Sequence, residues 1–200
     1  MRVAVALILL SLAPAPGRTQ TYFPFGVLGK TPEASEVAAG VYSKFLRALH
    51  EPSLWELAQR DTKAEAYRLP WLRAFDRPVA IRFVVKPGGT GWFHTRMTSG
   101  KGEAQPGRII ESGMSWSWKS RTASFLSMVD QAAFWNLPTL SEADEKADAP
   151  CRAHWILEGI KNGQYHVVDR CSPDPSDPVR VVGTRALKLG RVRPRASKVY

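Results

Sequence analysis

Cysteine, histidine and long apolar runs are scarce in this 200-residue chain, and each scarcity removes a class of function. The longest apolar stretch, Val3–Leu12, is broken only by Ser11. It reaches about half of the ~20 residues that a membrane-spanning helix needs. With two cysteines, no CxxC and four scattered histidines, no zinc framework or other metal site is written into the sequence. Every cofactor or catalytic motif is incomplete. Gly29-Lys30-Thr31 ends like a phosphate-binding loop, but Pro24 stands where the first glycine is required. Gly113-Met114-Ser115-Trp116-Ser117 has serine in place of the second glycine of a nucleophile elbow. Glu142, Asp144, Glu145 and Asp148 lack the glycine and terminal glutamate of a calcium loop, and read as a solvated acidic stretch. No cofactor is expected.

What is present begins with an address. Met1-Arg2, the apolar run and Ala13-Pro14-Ala15-Pro16-Gly17 follow the order of a secretory signal peptide. Residues 1–17 are therefore expected to be removed, and the mature protein to be periplasmic or extracellular. In such a compartment Cys151 and Cys171 are expected to pair as a disulfide. The loop between them would contribute about 3 kcal/mol by chain entropy.

The formal charge of +10 is local rather than general. No acid follows Asp177, while Arg180, Arg185, Lys188, Arg191, Arg193, Arg195 and Lys198 do. Residues 18–177 carry 20 basic and 18 acidic side chains. A protein built around nucleic acid spreads its basicity further, so no nucleic acid is expected. An anionic surface reached through the C-terminal segment remains open.

Periodicity changes along the chain. Thr31-Pro32-Glu33 opens a helix over 32–49, with Val37, Val41, Phe45 and Leu49 beside Ala34, Ala38, Tyr42 and Leu46. Ser53-Leu54-Trp55-Glu56 is a capping box for a second helix running to about Tyr67. Val79–Lys86, Trp92–Thr98 and Arg108–Trp118 read as strands, and Thr122 or Ser124 starts a helix that runs to Trp135. His154–Ile160 and Tyr165–Arg170 flank Asn162-Gly163, a type I′ turn pair that sets Ile160 opposite Tyr165 and Ile156 opposite Asp169. Cys151 would then lie across from Asp174, so pairing with Cys171 requires a bend, expected at 150–152. Asp177-Pro178 opens a last helix. The expectation is one α+β domain, 18–190: an antiparallel sheet with helices packed on it, then a basic tail, 191–200.

Three groups of side chains carry candidate chemistry. Glu158, His166 and Asp169 share the last hairpin, but alternation puts His166 on the face opposite the two carboxylates. Glu158, in an apolar strand, needs a cationic partner, for which Arg73 or Arg82 are the candidates. Trp116 and Trp118 share one strand face as a platform for stacking, or as core anchors beneath a helix. His94 and His154 stand alone.

Trp155-Ile156-Leu157-Glu158-Gly159, then Gly163, Tyr165-His166-Val167-Val168-Asp169-Arg170 and Ser172-Pro173 form a segment of about twenty residues. It resembles one from uncharacterised secreted or envelope proteins of Gram-negative bacteria. Tyr67–Arg73 resembles a second piece of the same proteins. That family brings no activity to transfer, and Cys171 stands where it has an aromatic residue. Together these readings point to an exported envelope protein that binds a partner or has a structural role. The alternatives are a small hydrolase using His166 with Glu158 or Asp169, and an anionic-surface binder. Intact mass of protein from its native host is expected to begin at Arg18 and to show both thiols oxidised. A mass retaining residues 1–17 would remove the export reading.

Overall fold

The structure is a computed structural model that describes residues 20–101, 105–142, 144 and 151–193. The leader-like segment 1–17, the stretch 145–150, Arg195 and Lys198 lie outside the described residues.

The described residues form an α+β fold built on a six-stranded, wholly antiparallel sheet. Its strands are β1 (Glu65–Arg73), β2 (Val79–Val85), β3 (Gly91–Thr98), β4 (Ile109–Ser117), β5 (Ala153–Lys161) and β6 (Gln164–Cys171), in the order β4-β3-β2-β1-β5-β6. Helices α1 (Pro32–Ala48) and α2 (Leu54–Arg60) precede the sheet, α3 (Lys119–Gln131) joins β4 to the last hairpin, and α4 (Pro178–Leu189) follows it. Thr31, Ser53 and Asp177 cap α1, α2 and α4 as their sequences imply, each accepting from main-chain N–H groups of its own first turn.

Three elements differ from the sequence reading. The second helix ends at Arg60, and Glu65–Arg73 is a central strand paired on both sides. Its signal is masked by Pro70, a residue that removes a ladder donor and is rare inside a sheet. The β1–β5 pairing breaks between Arg68–Glu158 and Trp71–Trp155, where Pro70 lies. Helix α3 starts after Trp118, earlier than expected. Thr122 does not cap it but is buried within it, donating to Ser117 Oγ at 3.0 Å.

Alternation along the strands divides the core in two. Tyr67, Leu69, Trp71, Val79, Ile81, Phe83, Phe93, Trp155, Leu157 and Val168 face α3, α4 and the turn at Phe134–Asn136. Phe83 and Phe93 stack at 4.2 Å, with Phe125 of α3 edge-on to both. The opposite face holds Leu72, Ile156 and Val167 against Tyr42, Phe45 and Leu46 of α1, and Ala66 and Ile160 against Leu54 and Ala58 of α2.

The last hairpin keeps the expected register, with Ile160 opposite Tyr165 and Ile156 opposite Asp169. Asn162 and Gly163 both take the left-handed conformation of a type I′ turn. Cys151 and Cys171 are joined by a disulfide with Cα atoms 5.4 Å apart. The chain bends at Arg152, within the expected 150–152, and again on the other strand at Ser172, which has φ 46°.

Gly159 is held by packing rather than by its backbone. A Cβ there would stand 2.6 Å from the Phe134 ring and 3.1 Å from Tyr67. Gly159→Ala is expected to destabilise by about 1–3 kcal/mol through overpacking. Gly113→Ala, with nothing within 4 Å of the added carbon, should stay within about 0.5 kcal/mol of the parent. Urea midpoints of the two variants check the contrast; equal midpoints would contradict the packing account.

Candidate functional site

The α1–α2 side of the sheet carries more polar chemistry than the other, in two clusters. In the first, the carboxylate of Glu158 lies fully buried on β5. Its partner is Arg68, the residue directly opposite on β1, and neither Arg73 nor Arg82. Arg68 Nη2 donates to both carboxylate oxygens at 2.8 and 2.7 Å, Arg68 Nε donates at 2.9 Å, and Tyr165 O–H donates at 3.0 Å. Arg68 Nη1 donates to the Pro52 carbonyl. Glu51, also buried, receives Arg82 Nε at 2.8 Å and stands 3.8 Å from Arg68 and 3.9 Å from Arg96. Arg96 Nη1 donates to the carbonyls of Leu49 and His50. Burial raises the Glu158 carboxyl above the ordinary carboxylate range against the pull of Arg68. Burial also works against the Arg68 charge, but Glu158 and Glu51 more than offset it and raise the guanidinium. Arg68 keeps its proton in any case, and both Glu158 oxygens act as acceptors, the geometry of an ion pair.

The second cluster is Tyr42, His154 and Asp169. Tyr42 on α1 donates its hydroxyl hydrogen to Asp169 Oδ2 at 2.5 Å. His154 Nδ1 lies 3.1 Å from Asp169 Oδ1 and 2.9 Å from the Tyr42 oxygen. Two oxygens therefore meet Nδ1, so that nitrogen carries a hydrogen. Glu33, Ala34, Val37, Ala38, Val41 and Phe45 of α1, with Leu72, Tyr42 and His154, wall a cavity of about 480 Å³. Helix α1 carries a wider apolar stripe than the sheet can cover, and Val37 is left 70% exposed at this cavity. A second cavity, of about 250 Å³, shares Ala38, Tyr42 and His154 and reaches Asp169 and the disulfide. Among the described residues lining the two cavities there is no serine, threonine or free thiol to serve as a nucleophile.

The hairpin residues singled out from sequence are not brought together. Glu158 belongs to the Arg68 pair and Asp169 to the Tyr42–His154 cluster. His166 lies on the opposite face, packed between Phe134 and Trp135, with Nε2 3.0 Å from the Leu137 carbonyl. Burial lowers its pKa, so the ring is held neutral. Among the described residues, His166 is paired with no carboxylate. His154, set aside from sequence as a lone histidine, is the one beside a carboxylate. The signal was available: His154 and Asp169 are diagonal neighbours on one face of the predicted hairpin register.

Trp116 and Trp118 do not lie beneath a helix. Trp118 is 67% exposed, and Trp116 is half-buried against Trp92 of β3 at 4.7 Å. The acidic stretch is not wholly solvated, because Asp144 accepts from Cys171 N–H and caps with Ser141. Of the C-terminal cations, Arg180 lies over the Trp155 ring and donates to the Pro173 carbonyl, and Arg185 is half-buried. Lys188, Arg191 and Arg193 are exposed. Among the described residues, no three His, Cys, Asp or Glu side chains converge as a metal site, and no helix is long and apolar enough to cross a membrane. The chain matches no protein-family model and no curated protein sequence.

Arg68→Met leaves Glu158 buried without its cation and is expected to cost about 3–5 kcal/mol. Arg68→Met/Glu158→Leu, which removes both charges, should recover most of that loss. Urea unfolding of parent, single and double variants tests the pair. A single variant within experimental error of the parent would show that the pair carries no weight.

Proposed function

We propose that this is an exported, non-catalytic binding protein of the cell envelope. Its ligand is an apolar small molecule with one hydrogen-bonding head group, held in the cavity between α1 and the sheet. One observation carries the reading: a cavity of about 480 Å³ whose walls are apolar except for Glu33 and the point where His154 and Tyr42 converge. That size and that balance of lining are those of small-molecule sites. The imidazole and phenol would orient the head group while the α1 side chains bury the body. Export is supported by the leader-like residues 1–17 and by the disulfide, which persists in an oxidising compartment.

Neither alternative has a comparable observation. Among the described residues, the hydrolase reading through His166 has no carboxylate beside that ring. The anionic-surface reading has Arg180 engaged within the fold.

The disulfide-bonded protein, titrated with the fluorophore N-phenyl-1-naphthylamine, is expected to show saturable enhancement at one probe per chain. Ala38→Trp, which fills the cavity from α1, should abolish it. Tyr42→Phe should weaken it by about threefold to tenfold, the worth of one hydrogen bond. Non-saturating enhancement, or an Ala38→Trp variant that binds like the parent, would sink the proposal.

A further inference from the structure

The two edges of the sheet are treated differently. Strand β6 is closed by the segment after the Phe134–Asn136 turn. Asp169 N–H donates to the Thr139 carbonyl, and the Arg170 guanidinium donates to the carbonyls of Pro138 and Thr139. Strand β4 has no such cover among the described residues, and Ile110 to Met114 are all exposed. An uncovered edge strand is a template for further pairing.

The register tells which groups are unpaired. Lys86 N–H donates to the Thr90 carbonyl and Thr98 N–H to the Pro78 carbonyl. These bonds fix the even-numbered residues of β3 as those bonded to β2, so the odd-numbered ones bond β4. Their partners there are Glu111, Gly113, Ser115 and Ser117. The main-chain groups of Ser112, Met114 and Trp116 therefore point outward. The side chains of these three lie on the sheet face that carries Trp92 and His94. Met114 is 62% exposed, and the exposed Trp118 follows directly after β4.

We infer that β4 is a self-pairing edge, and that two copies of the chain join there into one continuous twelve-stranded antiparallel sheet. The two-fold axis passes through Met114. That choice pairs Met114 with its copy and Ser112 with Trp116, so all three outward residues find partners and the irregularity opposite Met97/Thr98 stays outside the contact. The strand has a single charge, Glu111, so the arrangement opposes no like charges. Glu111 falls opposite Ser117 of the second copy and diagonal to its Lys119, a cation at the start of α3. An axis through Glu111 would instead set two carboxylates face to face. Because the other edge is covered, the contact closes at two copies and does not propagate. The inference is independent of the cavity between α1 and the sheet.

Analytical ultracentrifugation of the disulfide-bonded protein is expected to show a dimer at micromolar concentration. Ser112→Pro removes an outward N–H that no strand of the monomer uses, and Met114→Lys puts two cations on the axis. Each should move the monomer–dimer midpoint at least about tenfold higher, with the circular dichroism of the parent retained. Register is tested by oxidation: Met114→Cys should give a covalent dimer, and Gly113→Cys, on the other face, should not. A monomeric parent, a dimer indifferent to both edge variants, or cross-linking at position 113 instead of 114 would each overturn the inference. A monomer that captures extended peptides instead would do so as well.

Discussion

Arg68 and Glu158 impose the constraint around which the rest of the molecule is arranged. Two full charges sit side by side in the middle of the sheet, out of water, and neither can be left unpaired there. The side chains and carbonyl that satisfy them come from most of the fold: Tyr165 from β6, Pro52 and Glu51 from the α1–α2 link, and through Glu51 the guanidinium of Arg82 on β2. Arg96 on β3 then grips the same link by its carbonyls. A slip of β1 against β5 would separate the ions. A different path for residues 49–52 would strip Arg68 of its carbonyl and its second carboxylate. Buried ion pairs are poor sources of net stability, and this one ties a single register of β1 on β5 to a single path of residues 49–52.

The polar network also accounts for the asymmetry between the two faces. The α3–α4 face is filled by interlocking aromatic rings, and Gly183 and Gly159 are cut back to admit them: a Cβ at Gly183 would meet Trp155 at 2.8 Å. On the opposite face, space is spent on guanidinium and carboxylate groups, and the helices there cover β1, β5 and β6. The apolar stripe of α1 is left partly unused and becomes the wall of the cavity. On this face no described helix covers the β3–β4 end, which leaves Trp92, Trp116, Trp118 and Met114 at the surface. Cavity and open edge are thus two consequences of one packing arrangement.

Much of the architecture was legible from local signals. The caps of α1, α2 and α4, the Asn162-Gly163 turn with its register, and the antiparallel pairing all follow from short-range chemistry that the tertiary fold did not override. Strand β1 was not legible. Its apolar alternation is interrupted by Arg68 and Pro70, one satisfied by a carboxylate 90 residues away and the other standing where the β1–β5 ladder breaks while the β1–β2 pairing continues. The candidate site was half legible. Alternation correctly separated His166 from the carboxylates, and the same rule applied to His154 would have joined it to Asp169. Tyr42, the third member, looked like one more apolar helix position until the sheet placed a carboxylate over it.

What residues decided on their own account is what depends on near neighbours: the α+β class, the helix starts, the hairpin register, the leader-like N-terminus and the placement of charge after Asp177. Such features arise from backbone preferences and periodicity within about ten residues. Partner choice was settled in three dimensions. Arg68 rather than Arg73 or Arg82 meets Glu158, and among the described residues β4 rather than β6 is left open. Each turns on which distant segment arrives to satisfy a buried charge or an unpaired main-chain group, and no local pattern encodes that arrival.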